Sequence, residues 1–237
     1  MQVFALTDIH GVIKSAKRAA GEAYRLKADI ITVSGDITNF EGEEKAKEIL
    51  SALRESSLPV LYVPGNCDGH AVFNLSVEGC YCLHGQLHAF RGYSFVGLGG
   101  SNPTPMGTLT EFEEEEISKI LEKASSSNQN MERLILVSHP PPLETNLDST
   151  SGSYGEPRHV GSQAVRSFVE EKKPILVLCG HIHDARGVDK LDGSVLVNPG
   201  TAKAGNFALI TLNGKVETNL DNFSSHSIGG AEENVKG

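Results

Sequence analysis

The sequence predicts an α/β fold built on parallel strands, and three observations carry that expectation. Short apolar runs alternate with helical spacing from residue 3 to residue 63, in the order strand–helix–strand–helix–strand. Five apolar runs of buried character end in turns that carry Asp, His or Asn. At 237 residues, 39% hydrophobic and 22% charged, the chain is long and apolar enough for one domain with a substantial core.

The first strand, Val3 to Leu6, ends in Thr7-Asp8-Ile9-His10-Gly11. Val12 to Lys27 then has helical spacing through Ile13, Ala16, Ala20, Ala23 and Tyr24. Ile30 to Val33 is the second strand, followed by Ser34-Gly35-Asp36. A helix over Glu43 to Glu55 puts Ala46, Ile49, Leu50 and Leu53 on one face. Pro59 to Val63 is the third strand, followed by Pro64-Gly65-Asn66-Cys67-Asp68. Right-handed crossovers bring the C-terminal ends of these three strands to one edge of a sheet.

Cys80 to Leu83, Leu87 to Phe90 and Tyr93 to Leu98 are short strands with tight links, read as an antiparallel region. Gly99 to Thr110 is a loop. Thr110-Glu111-Phe112-Glu113 matches a capping box, and the helix after it runs to about Ala124. Glu113 to Glu116 read as a solvated first turn favoured by the helix dipole. Ser125 to Asn130 is a polar linker. Arg133 to Val137 is a strand ending in Ser138-His139. Leu143 to Val160 is aperiodic, a length that is usually functional or mobile. A helix over Ser162 to Glu171 leads to the Ile175–Leu178 strand, which ends in Cys179-Gly180-His181-Ile182-His183. Asp192-Gly193 and Asn213-Gly214 are hairpin turns. The domain is expected to span residues 1–221, and 222–237 to form a flexible tail.

The net charge of -9 disfavours nucleic acid and anionic lipid as partners. The absence of a signal-peptide pattern or a long apolar run, together with four cysteines without a Cys-x-x-Cys pair, fits reduced thiols in the cytoplasm and no membrane.

A His-x-His pair alone is as readily two hydrogen-bonded loop histidines. Here it is one of five strand ends of the same kind: Asp8 and His10, Asp36, Asn66, His139, and His181 with His183. Open α/β sheets bind ligands at the carboxyl ends of their strands. These side chains offer four imidazoles, two carboxylates and one amide. One zinc ion needs three or four ligands, so seven suit two divalent ions sharing a carboxylate. With two carboxylates and a bridging hydroxide, such a site keeps a charge of about +1, which suits phosphoester hydrolysis. Mn, Fe, Zn, Ni, Co and Mg are all compatible with these donors.

In this order Asp8-x-His10, Gly35-Asp36, Gly65-Asn66-x-Asp68, His139 and Gly180-His181-x-His183 resemble the signature of the calcineurin-like metallophosphoesterase superfamily. Asn198-Pro199-Gly200-Thr201 resembles the turn after the last motif in small members. The resemblance implies a four-layer α/β/β/α sandwich of two mixed β-sheets flanked by helices. It assigns Asp8, His10 and His183 to one metal, Asn66, His139 and His181 to the other, and Asp36 to both.

It also implies a phosphoesterase acting on a small phosphomonoester or phosphodiester, a nucleotide included, by attack of a metal-bridging hydroxide. Many members carry a histidine where this chain has Cys67, so the general acid is open among Asp68, His70, His84 and water. Asn66 and Asp68 are the candidate catalytic residues beyond the metals. Asn66, His84, Arg158 and His159 are the candidate substrate contacts. Ile37-Thr38-Asn39-Phe40 lacks the arginine of the Ser/Thr protein phosphatases. A DNA-processing nuclease and an inactive protein-binding scaffold are the alternatives, and self-association into a homo-oligomer is open.

Overall fold

The computed structural model of the chain describes residues 1–126, 133–150 and 158–223. Its strands are β1 (Gln2–Leu6), β2 (Ile30–Ser34), β3 (Val60–Val63), β4 (Cys80–Cys82), β5 (Leu87–Phe90), β6 (Tyr93–Leu98), β7 (Leu134–Ser138), β8 (Leu176–Leu178), β9 (Gly187–Leu191), β10 (Ser194–Asn198), β11 (Asn206–Leu212) and β12 (Val216–Asn222). The helices are α1 (Ile13–Arg25), α2 (Glu43–Arg54), α3 (Glu114–Ser125) and α4 (Gln163–Lys172). One six-stranded sheet has the order β12-β11-β1-β2-β3-β4, and the other β5-β6-β7-β8-β10-β9. Both are mixed.

Alternation along the strands builds three apolar layers. From the first sheet, Phe4, Leu6, Ile31, Val33, Val60 and Tyr62 face outward onto Ala16, Ala19 and Ala23 of α1 and Ile49, Leu50 and Leu53 of α2. Their neighbours Val3, Ala5, Ile30, Leu61 and Val63 face inward onto Phe95, Ile135, Val137, Leu176 and Leu178 of the second sheet. From that sheet Val96, Leu98, Leu134, Leu136 and Val177 turn outward onto Ile117 and Leu121 of α3 and Val165, Phe168 and Val169 of α4. The result is helices, sheet, sheet, helices.

The middle of the chain departs from the antiparallel expectation. Only β5 and β6 pair antiparallel there; β4 runs parallel to β3 in the first sheet and β6 parallel to β7 in the second. The segment between β4 and β5 is where the chain changes sheets, which tight spacing cannot reveal.

The capping box sits three residues later than expected, on Glu113 and Glu116. Thr110 is used elsewhere, its hydroxyl donating 2.7 Å to the Asp68 carbonyl. Glu114 is more than a solvated side chain. It accepts from the Ser162 hydroxyl and from the backbone N–H of Gln163 and Ala164, covering the start of α4.

At the C-terminus, Asn222 closes β12. Phe223 is buried, its ring 5.3 Å from Phe207, so both belong to the fold and not to a tail. The rest of the expected tail and most of the expected 125–130 linker lie outside the described residues. No described helix is long and apolar enough to cross a membrane.

Candidate metal centre

The ends of β1, β2 and β3 from one sheet meet the ends of β7 and β8 from the other at one mouth of the sandwich. Hydrogen bonds run from turn to turn there. Asp8 N donates to Gly35 O, His10 N to Asp36 O, and Gly180 N to His139 O. Four of the seven expected ligands, Asp8, His10, Asp36 and His181, hold positive φ between 48° and 68°. That conformation costs a non-glycine residue roughly 1–2 kcal/mol, so the surrounding turns impose it. Gly35 and Gly65 let ligand residues crowd together: a Cβ on Gly35 would run into the His139 ring, and one on Gly65 into the Asp36 carboxylate.

The donor atoms converge in two overlapping groups. In the first, His183 Nε2 lies 3.2 Å from Asp8 Oδ1 and 3.1 Å from His10 Nε2. In the second, His139 Nε2 lies 2.8 Å from Asn66 Oδ1, and its ring centroid is 5.0 Å from that of His181. Asp36 stands between them, with Oδ2 3.8 Å from His10 Nε2 and Oδ1 3.4 Å from His139 Nε2. Asp8, Asp36, Asn66 and His139 are buried, whereas the His183 side chain is 46% exposed. The centre therefore opens toward solvent on the His183 side.

The hydrogen bonds of His139 test whether these residues fit a metal. A carbonyl only accepts, so His139 Nδ1 donates to Ser34 O at 2.7 Å. That leaves Nε2 as the ring atom that faces the carbonyl oxygen of Asn66. That amide cannot turn over, because its Nδ2 donates 2.9 Å to Thr108 Oγ1, whose own proton goes to Glu111 Oε1 at 2.6 Å. His139 Nε2 and Asn66 Oδ1, 2.8 Å apart, are a nitrogen and an oxygen of the kinds that bind divalent metals, placed so that one ion could take both. Among the described residues, the groups Asp8–His10–His183 and Asp8–Asp36–His139 each bring three ligand atoms within 4.8 Å of one another. The donor set fits metal ions.

The electrostatics agree. Burial works to raise Asp8, but the hydrogen bond to His183 and the charges of His139 and His183 hold it down at about 2. Burial and then the neighbouring Asp8 charge raise Asp36. Burial lowers His10, and burial with the His139 charge pushes His181 down to about 3, so both rings are neutral and able to coordinate at pH 7.

Other expected site residues are placed differently. Asp68 is a scaffold and not a poised acid: Oδ1 accepts from Thr38 N and Thr38 Oγ1, and Oδ2 from Ile37 N and Gly65 N. Burial and the Asp36 charge raise it to about 6 against the pull of those donors. His84 accepts from Gly99 N at 3.0 Å and packs between Phe73 and Phe112. Burial pushes it down to about 4, so it packs as a neutral ring. His70 is exposed in a short helical turn.

His159 is committed to the buried carboxylate of Asp148 at 2.6 Å, and Arg158 pairs through its backbone with Thr150. The same Asp148 accepts from the N–H groups of Glu144, Thr145 and Gly161, so the described part of the 143–160 segment is organised around it. The Cys67 sulfur lies within 4.8 Å of ligand atoms of His10 and Asp36, nearer the centre than a packing role implies. Burial and the Asp36 charge raise its pKa, which keeps it a thiol and no nucleophile.

Thr108 and Glu111 escaped the reading of the sequence. They lie in a polar loop 42 and 45 positions after Asn66 and carry no motif; only the folded contact reveals them.

A model of the calcineurin-like phosphoesterase superfamily domain matches residues 1–214. The Methanocaldococcus jannaschii protein MJ1162 is 35% identical over 203 residues, which cover 84% of this chain and 88% of that one. Among solved structures, TT1561 of Thermus thermophilus matches with a TM-score of 0.73 at 20% identity, over 94% of this chain and 98% of its own. A dimetal phosphatase from Danio rerio matches with a TM-score of 0.63 at 12% identity, over 94% and 99%. At these identities the two structures show a shared fold.

Proposed function

The chain belongs to the calcineurin-like phosphoesterase superfamily, and on that premise we propose that it is a dinuclear metal-dependent hydrolase of small phosphoesters. The observation that carries this reading is Asp36, one carboxylate whose two oxygens face the two donor groups from 3.8 and 3.4 Å. Asp8, His10 and His183 would hold one ion, Asn66, His139 and His181 the other, and Asp36 both. Two divalent ions so held supply Lewis acidity toward a phosphoryl oxygen and a water acidic enough to react near neutral pH.

The chain's own groups do the rest. Thr7 Oγ1 donates to Asp8 Oδ2 and Cys67 N to Asp36 Oδ1, fixing both carboxylates. Asp68 ties the turn after β2 to the turn after β3, which sets the spacing of Asp36 and Asn66. No described acid stands free at the centre, so the leaving group draws its proton from water, and activated esters react fastest. The Danio rerio relative, described as a dimetal phosphatase, supports the same chemistry. The net charge of -9 favours a small substrate over nucleic acid, and retention of all seven donors speaks against an inactive scaffold.

The test is a screen of chelator-stripped and Mn-reloaded protein on p-nitrophenyl phosphate, bis-p-nitrophenyl phosphate and nucleotide mono- and diesters. Turnover that returns with about two ions per chain is expected. Two ions bound with no ester hydrolysed would leave the scaffold reading standing instead.

A further inference from the structure

The open side of the centre leads into a cavity of about 480 Å³ lined by His10, Asn39, His183, Thr201, Lys203 and Ala204. That is toward the lower end of the usual range for small-ligand sites. Its lining includes a cation and no acid, in a chain whose net charge is -9. Lys203 is exposed and, among the described residues, has no carboxylate partner.

Its position is nevertheless fixed by the backbone. Lys203 N donates 3.2 Å to Asp8 O and Ala202 N donates 2.8 Å to Thr7 O. Thr201 Oγ1 donates 2.8 Å to Asp8 O. The turn that carries the ammonium is thus stitched to the strand end that carries a ligand carboxylate. Asn39 also lines the cavity, and its backbone N–H donates to Glu41 Oε2 at 2.5 Å.

We propose that Lys203, with Asn39, forms a subsite for a second anionic group on the substrate, a carboxylate or a second phosphoryl group carried beyond the scissile phosphate. The inference rests on the phosphoesterase reading. A phosphate held by the two ions would extend its substituent toward the His183 side, because Asp8, Asp36, Asn66 and His139 are buried and His183 is the most exposed of the seven. The residues that line this space include Lys203, whose ammonium has no carboxylate partner among the described residues, and Asn39. The substrate class is therefore a small phosphoester with two anionic ends, not a neutral alcohol ester.

The experiment uses two phosphonates of equal length whose C–P bond is not hydrolysed. 3-Phosphonopropanoate ends in a carboxylate and propylphosphonate in a methyl group. Their affinities for the metal-loaded full chain are measured by titration calorimetry for wild type, Lys203→Met and Lys203→Arg. In wild type the carboxylate is expected to tighten binding about tenfold, the scale of a hydrogen bond to a charged group. The ratio should fall to about one in Lys203→Met and survive in part in Lys203→Arg. Equal affinities in wild type, or a ratio that persists in Lys203→Met, would overturn the subsite while leaving the phosphoesterase reading intact. Failure of propylphosphonate itself to bind would count against both.

Discussion

The carboxamide of Asn66 has two ends of similar size and opposite chemistry, and only one of them can hold a cation. The Thr108 hydroxyl decides which. It spends its proton on Glu111, so it can only accept from Asn66 Nδ2, and Asn66 Oδ1 is left toward His139. Glu111 is well able to hold that arrangement. It accepts from the N–H and hydroxyl of both Thr104 and Thr108, and although burial works to raise it, those donors hold its pKa at about 2. Thr108→Val removes the acceptor at nearly constant volume. Metal titration of that variant should show one ion bound normally and the other about 10–100-fold more weakly, the usual effect of losing a partner of a ligand. Thr108→Ser keeps the acceptor and should restore most of the affinity. Equal weakening by both variants would mean that Thr108 only packs the loop.

At the level of elements, the βαβ units and the five strand ends that carry the candidate ligands are legible in the sequence, because burial on both faces writes a continuous apolar run and these polar residues follow it directly. The path from β4 to β5 is not. Three- and four-residue strands do not specify their partners, and the change of sheet is decided by packing. Thr110 shows a similar limit: it fits a capping box locally, but its hydroxyl is claimed by the Asp68 carbonyl, 42 positions away.

The 143–160 segment reads as aperiodic in the sequence for the same reason. The organiser of its described part is a single buried aspartate whose donors lie on both sides of it in the chain, at Glu144, Thr145 and Gly161. Asp148→Ala removes the acceptor of these three backbone N–H groups and of His159, and should cost about 2–3 kcal/mol in chemical denaturation. The His159 contact has its own pH signature. Asp148 raises the His159 pKa above its ordinary 6.5. The folded state therefore binds the proton more tightly, and the contribution is complete below about pH 6.5 and lost as pH rises through the raised value. It is modest, because the ring is half exposed. The melting-temperature difference between wild type and His159→Gln should shrink from pH 6 to pH 8. A difference that grows over that range would remove the ion pair from the account.

Across the whole molecule, the centre is also the place where the two sheets are joined. The apolar layer between them is continuous, but at this mouth it gives way to Asp8, Asp36 and Asp68, all buried, with His183 facing Asp8 and His139 facing Asp36 from the opposite sheet. Without ions, the Asp8 charge and burial both oppose ionisation of Asp36. With ions bound as proposed, that same carboxylate would join the Asp8–His10–His183 group to the Asn66–His139–His181 group. Metal binding to the folded chain alone stabilises it by RT ln(1 + [L]/Kd), about 2.7 kcal/mol for one site at a hundredfold excess over Kd. Chelation should therefore lower the melting temperature of wild type, and Mn should restore it.

Asp36→Asn separates the two roles. The amide keeps the shape and the acceptor for Cys67 N but removes the buried charge. Under chelation this variant should melt above chelated wild type, and with excess Mn it should melt below Mn-loaded wild type, with turnover lost. The crossing of the two orders is the signature of a carboxylate that opposes folding when bare and joins the sheets when loaded. If Asp36→Asn lowers the melting temperature equally in chelator and in Mn, Asp36 is a structural residue and the shared-ligand role is wrong.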